Sequence, residues 1–241
     1  MYRRLTALLA IPVLATSLWA GDPWKEKPYT QWDEKDIRKV LTESPWVRAV
    51  AVENTWGGNA GRADAPTLGA SASAASSDPR DVTREAKPLA GQTAEAVFLL
   101  HWASSRTIRR AQARNAVLRG VPPDVAEKFL AQEPAEYQIV VLGTDMTPFL
   151  KAEERELKER AYLAPRKSKT RLAPVRVQVE RTGDASKIVA VHFYFPKKSE
   201  AGQATLSPEE KAAEFVCQTG RTTLKANFDL QKMADRQGAD L

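Results

Sequence analysis

The chain has 241 residues, of which 43% are hydrophobic, enough apolar material for one domain with room for a small second lobe. A single cysteine, Cys217, excludes an internal disulfide, so stability has to come from burial. The 36 basic and 30 acidic residues give a net charge of +6. That mild excess favours loose contact with anionic surfaces such as phosphate headgroups or acidic polysaccharide, and it identifies no partner.

Residues 1–20 read as a signal peptide. Arg3 and Arg4 form a basic start, Leu5 to Trp19 carry no charge, and the polar Gly21-Asp22-Pro23 follows. A span that stays in the bilayer needs about 20 apolar residues. This run is shorter, and Pro12 interrupts it. Cleavage is expected after Ala20, with Ala15 and Ser17 as alternatives, leaving a periplasmic or extracellular chain with no stable transmembrane span. Losing Arg3 and Arg4 lowers the net charge to +4, and nucleic acid is not expected as a partner in that compartment.

Residues 21–56 read as a Trp-rich helix and strand packing on the main domain. Thr30 is the expected N-cap, with Asp33 three residues on; Trp32, Ile37, Val40 and Leu41 keep helical spacing, and Pro45 stops the helix at Ser44. A strand is expected from Trp46 to Trp56. Residues 57–94 change composition, with Gly57-Gly58 and an Ala/Ser run from Ala70 to Ser77. They read as a disordered linker or insertion, because so few large apolar side chains cannot offset the ordering entropy.

The remainder, 95–241, reads as an α+β domain: a mainly antiparallel sheet with several surface helices. Ala96 to Ala103 has the length and apolarity of a buried strand. Ser104 or Ser105 caps a helix over Arg106–Arg119, ended by Gly120 and Pro122-Pro123. A shorter helix follows at Val125–Gln132 with Asp124 and Glu127 as its capping pair, then a strand at Tyr137–Leu142. Thr147-Pro148 should open a charged helix through Ala161. Val175, Val177 and Val179 alternate with Arg176, Gln178 and Glu180, and the strand Ile188–Phe195 returns after the turn at Thr182-Gly183-Asp184. Its His192 and Tyr194 face away from Val191 and Phe193. A capped turn at Ser207-Pro208 precedes strands at Phe215–Gln218 and Thr222–Phe228, and a short polar helix is expected from Asp229.

The run Gln31-Trp32-Asp33-Glu34-Lys35-Asp36-Ile37-Arg38-Lys39-Val40-Leu41 with Ser44-Pro45-Trp46 resembles uncharacterised secreted proteins of the acidobacterial type. So do Phe215-Val216-Cys217 and Phe228-Asp229-Leu230-Gln231-Lys232-Met233. The resemblance implies export and a shared fold, and no activity or catalytic residue comes with it.

No motif names a reaction, so no catalytic, cofactor-binding or metal-binding residue and no cofactor is assigned. His101 and His192 lack His or Cys partners at ligand spacing. His101 in an apolar strand reads as a satisfied core residue. Ser104-Ser105 lacks the glycines of a strained nucleophile turn. Cys217 reads as a buried small hydrophobe.

Two constellations remain. Arg106, Arg110 and Arg114 at four-residue spacing, with Arg109 beside them, repel one another on a helix unless something anionic lies against them. Either an internal acid or an anionic partner would answer. Trp24, Trp32, Trp46 and Trp56 would either tie the N-terminal segment to the sheet or meet a glycan or partner. The leading expectation is an exported, non-catalytic binding or structural module contacting an unidentified envelope or extracellular component. The alternative is a secreted hydrolase of polysaccharide or peptidoglycan using a carboxylate pair. A third class, a small-ligand carrier, would show an enclosed apolar cavity under the sheet.

Overall fold

A computed structural model of the chain describes residues 21–53 and 95–241; the expected leader, the linker and Trp56 lie outside these residues. The described elements, in chain order, begin with helices α1 (Pro23–Glu26) and α2 (Glu34–Glu43). Strands β1 (Val47–Glu53) and β2 (Glu95–Trp102) and helices α3 (Arg106–Leu118) and α4 (Pro123–Ala131) follow. Next come β3 (Glu136–Gly143), α5 (Glu154–Glu159), β4 (Ala161–Pro165), β5 (Arg176–Arg181) and β6 (Ile188–Pro196). Strands β7 (Ala212–Thr219) and β8 (Thr222–Asp229) and the short β9 (Ala234–Asp235) and β10 (Gly238–Ala239) complete the series. The protein is α+β, and every named strand pair is antiparallel. Among the described residues no helix is long and apolar enough to cross a membrane.

Two sheets carry the fold. One has five strands in the order β1-β2-β3-β6-β5, the other three in the order β4-β7-β8. The alternation that put Phe193 and Phe195 on one side of β6 delivers both rings against Phe215 of the smaller sheet, at 5.2 and 6.1 Å between centroids. Trp102 of β2 meets Phe228 of β8 edge-on at 5.2 Å. Edge-to-face ring pairs add about 0.5–1.5 kcal/mol each beyond their burial. The sheets therefore share one apolar layer, in which Trp46, Phe98, Phe149, Phe193 and Phe215 are all fully buried. The other face of the large sheet is left to the helices.

Local chemistry explains the helix ends, including some that differ from expectation. Helix α2 starts later than Thr30, which lies in a 3₁₀ turn over Tyr29–Gln31. Asp33 is the true cap, accepting from Asp36 N at 2.8 Å, while Asp36 accepts from Asp33 N. This reciprocal pair satisfies two backbone donors, and the flanking Trp32 and Ile37 are both buried, in the positions of a hydrophobic staple. Helix α3 is capped by Ser105, whose hydroxyl accepts from Ile108 N, and it closes at Gly120, whose φ of +95° suits glycine. Helix α4 opens on Pro122 and Pro123 with no side-chain cap, so Asp124 and Glu127 do not form a capping pair; Asp124 lies 3.5 Å from Lys128 instead.

Two expected helices give way to burial. From Thr147 to Ala161 the chain makes a 3₁₀ turn over Thr147–Phe149, breaks, forms α5 and enters β4 at Ala161. Phe149 and Leu157 are both fully buried, and the Ala161, Leu163, Pro165 alternation pairs with β7, Leu163 opposite Phe215. The segment after Asp229 is no helix but a turn followed by the β9–β10 hairpin. Its acids are drawn to α3.

Candidate functional site

The arginine stripe on α3 finds its anion inside the molecule. Asp235 of the β9–β10 hairpin accepts from Arg106 Nη2 at 3.0 Å and from Arg110 Nη1 at 2.9 Å, and Gln237 takes a further bond from Arg110. Burial opposes ionisation of Asp235, yet the Arg106 hydrogen bond and the nearby charges hold its carboxyl below the ordinary value. Arg114 donates to the Trp32 carbonyl at 2.9 Å. Asp240 adds a second cap to α3, accepting from Arg106 N at 2.6 Å and Thr107 N at 2.9 Å. Arg109 faces elsewhere: it donates to the Phe129 carbonyl in the last turn of α4, and its guanidinium lies 4.7 Å from the Phe129 ring centroid.

Three of the four tryptophans of the N-terminal segment lie among the described residues, and all three are structural in placement. Trp24, Trp32 and Trp46 are buried, Trp24 edge-on to Trp46 at 5.9 Å. The Trp46 indole donates to the Asp240 carbonyl at 2.7 Å, tying the N-terminal segment to residues 194 positions later.

A cavity of about 530 Å³ opens between the helical layer and the outer face of the large sheet. That volume lies in the range of small-molecule sites, roughly 300–1,000 Å³. Sheet register builds its floor. His101 on β2, Val140 on β3, His192 on β6 and Gln178 on β5 stand on one rung. Gln138, Tyr194 and Arg176 occupy the next, and Glu180 pairs with Ala190 on the other side. Of these, His101, Gln138, Val140, Glu180, Ala190 and His192 line the cavity. Arg109 and Gln112 of α3, with Phe129, Gln132 and Glu133 at the end of α4, form the opposing wall.

The polar floor is tightly ordered. His192 has both ring nitrogens engaged: Nδ1 lies 3.0 Å from Gln138 Nε2, and Nε2 lies 3.1 Å from Glu180 Oε2. The neutral tautomer with its proton on Nε2 satisfies both contacts, accepting from the Gln138 amide and donating to the carboxylate. Gln138 also reaches the Tyr194 hydroxyl at 3.2 Å, and the Arg176 guanidinium stacks 3.3 Å from the Tyr194 ring centroid while bonding Glu136.

His101 differs from the satisfied core residue expected of it. It is 3% exposed, and its buried Nε2 has no hydrogen-bond partner among the described residues. Burial pushes its pKa down to about 4, against a hydrogen bond with the Leu41 backbone. It is therefore a neutral imidazole at the cavity floor near neutral pH. Ser104 is buried beside the Ser105 cap, and Cys217 is buried in β7 with its pKa raised to about 12, a thiol without thiolate character. Among the described residues no cluster of three or more His, Cys, Asp or Glu forms a metal site.

Sequence reasoning singled out His101, His192 and Arg109 separately, but not that they meet. Gln138, Glu133 and Glu180 carried no signal of their own. The available clue was alternation: His192, Tyr194, Gln178 and Glu180 are the polar positions of neighbouring strands. The chain matches no family model, no curated protein and no solved structure.

Proposed function

We propose that the chain is an exported, non-catalytic binding module whose ligand site is the cavity between α3–α4 and the outer face of the large sheet. The carrying observation is the preorganisation of that floor. His192 is held at both nitrogens, by Gln138 and Glu180, so its ring is fixed without ligand and has no free nitrogen to take a substrate proton. Such an arrangement suits recognition, because ordering costs are met before the ligand arrives. The leader over residues 1–20 and the resemblance to secreted acidobacterial-type proteins support export to the periplasm or the extracellular space. The ligand or partner then belongs to the envelope or its surroundings. With Arg106 and Arg110 matched by Asp235 and three tryptophans buried, the cavity is the better-prepared contact site of the described surface.

Two measurements test this reading. Mass spectrometry of the chain recovered from its native cell should find Gly21 at the N-terminus outside the cytosol; Met1 retained on cytosolic protein overturns export. Amide NMR titration with a library of small polar fragments should shift signals around Gln138, Ala190 and His192, and a library that leaves them all unmoved overturns the site.

A second reading has one observation in its favour. Glu133 and Glu180 line the same cavity from different elements, and paired carboxylates are what glycoside hydrolysis needs. Turnover of peptidoglycan or polysaccharide that is lost in both Glu133→Gln and Glu180→Gln would establish the hydrolase.

A further inference from the structure

The cavity's lining also bears on what it holds. Three charged side chains reach it, the carboxylates of Glu133 and Glu180 and the guanidinium of Arg109, and each is already engaged by a neighbour. Glu180 meets His192 at 3.1 Å. Arg109 is buried, spends a hydrogen bond on the Phe129 carbonyl, and is favoured as a cation by the charge of Glu133. An anionic ligand entering here would face two carboxylates, and a cationic one would face the Arg109 guanidinium, in both cases losing hydration for a mixed field. The charge pattern favours an uncharged guest.

The rest of the lining, beyond Arg109, is of two kinds, apolar and polar. Val140, Ala190 and Leu142 give an apolar floor contributed by the sheet, and Phe129, 41% exposed and with the Arg109 guanidinium over one face of its ring, stands on the opposite wall. Around them stand planar polar groups: the amides of Gln112, Gln132 and Gln138, which both donate and accept, and the carboxylates of Glu133 and Glu180, which accept. A pyranose has this same division. Its C–H faces are apolar and stack on aromatic and aliphatic surfaces, while its equatorial hydroxyls each donate and accept in the ring plane. His101 at the floor is a further polar group, a neutral imidazole whose buried Nε2 has no partner among the described residues.

We infer that the cavity binds an uncharged sugar ring, its face against Phe129 and the apolar floor, its hydroxyl edge on the glutamine and glutamate side chains. This rests on the cavity being the ligand site, and it holds whether or not the sugar is turned over. A site of this size takes a mono- or disaccharide unit, free or at the end of an envelope glycan.

The experiment titrates the full chain, followed by amide NMR, with four pyranoses of one size: methyl glucoside and N-acetylglucosamine, both neutral, glucuronate, an anion, and glucosamine, a cation. The neutral pair should bind at least about tenfold tighter than either charged sugar, a difference of about 1.4 kcal/mol, and shift the Gln138 side-chain amide. Phe129→Ala should weaken neutral-sugar binding roughly threefold to tenfold through the lost stacking face. Because that ring is only partly buried, the fold should survive the change, as an unaltered amide spectrum outside the cavity would verify. Tighter binding of glucuronate or glucosamine overturns the inference on charge. Fragments shifting Gln138 and His192 while no sugar does overturns the ligand class and leaves the site standing. Silence from sugars and fragments alike removes both.

Discussion

His101 is the residue at which folding and the cavity pull against each other. A neutral imidazole with an unpartnered nitrogen is stable in the core only while it stays neutral, and burial enforces this by depressing its pKa from 6.5 to about 4. The unfolded chain therefore takes up a proton near pH 6.5 that the folded chain refuses until about pH 4. The stabilisation is fully present above pH 6.5 and is lost progressively as pH falls through that window, by on the order of 3 kcal/mol in total. Urea unfolding of wild type and His101→Leu at several pH values should show the gap between them moving in the variant's favour by this amount as pH drops. A gap independent of pH would mean that the imidazole is already protonated, or solvated, in the folded state.

At the level of elements, α3 shows how a helix that is poor in isolation is completed from elsewhere. Arg106 and Arg110 repel on its face, and the β9–β10 hairpin answers with Asp235, whose side chain is 1% exposed. In Asp235→Ala the arginines, themselves partly exposed, lose about 1 kcal/mol of pairing, and their guanidinium groups become open to inorganic phosphate. Phosphate should therefore raise the melting temperature of Asp235→Ala while hardly moving the wild type. Equal stabilisation of both would show that the stripe takes anions despite the hairpin.

The same elements show what the sequence discloses. Alternation along β5 and β6 and a serine cap at Ser104 or Ser105 were legible because period and capping act within a few residues. The helix expected over 147–161 and the one after Asp229 were not, because Phe149, Leu157, Leu230 and Met233 are placed by contacts far along the chain, which override local preference. The cavity was hidden for a related reason. Gln138, Glu180 and His192 are neighbours only through sheet register, and no spacing along the chain records it.

Across the whole molecule the two sheets stand or fall together. Phe215 serves both Phe193 and Phe195, and Trp102 and Trp46 sit in the same cluster as Cys217. A single cooperative transition is expected. Cys217 offers a probe of it, since its thiol is fully buried, with its pKa pushed up to about 12. Labelling by a thiol reagent should have the same urea midpoint as tryptophan fluorescence. Labelling at clearly lower urea would show that the three-stranded sheet opens on its own.

The two Asp240 bonds to the start of α3 span 134 and 133 positions of sequence. A ribosome adding roughly 5–20 residues per second thus runs on the order of ten seconds between making this helix's first turn and supplying its acidic lock. Until then the nascent polypeptide has every reason to stay loose. The native start of α3 is therefore completed only once Asp240 has been supplied, long after the helix itself could form.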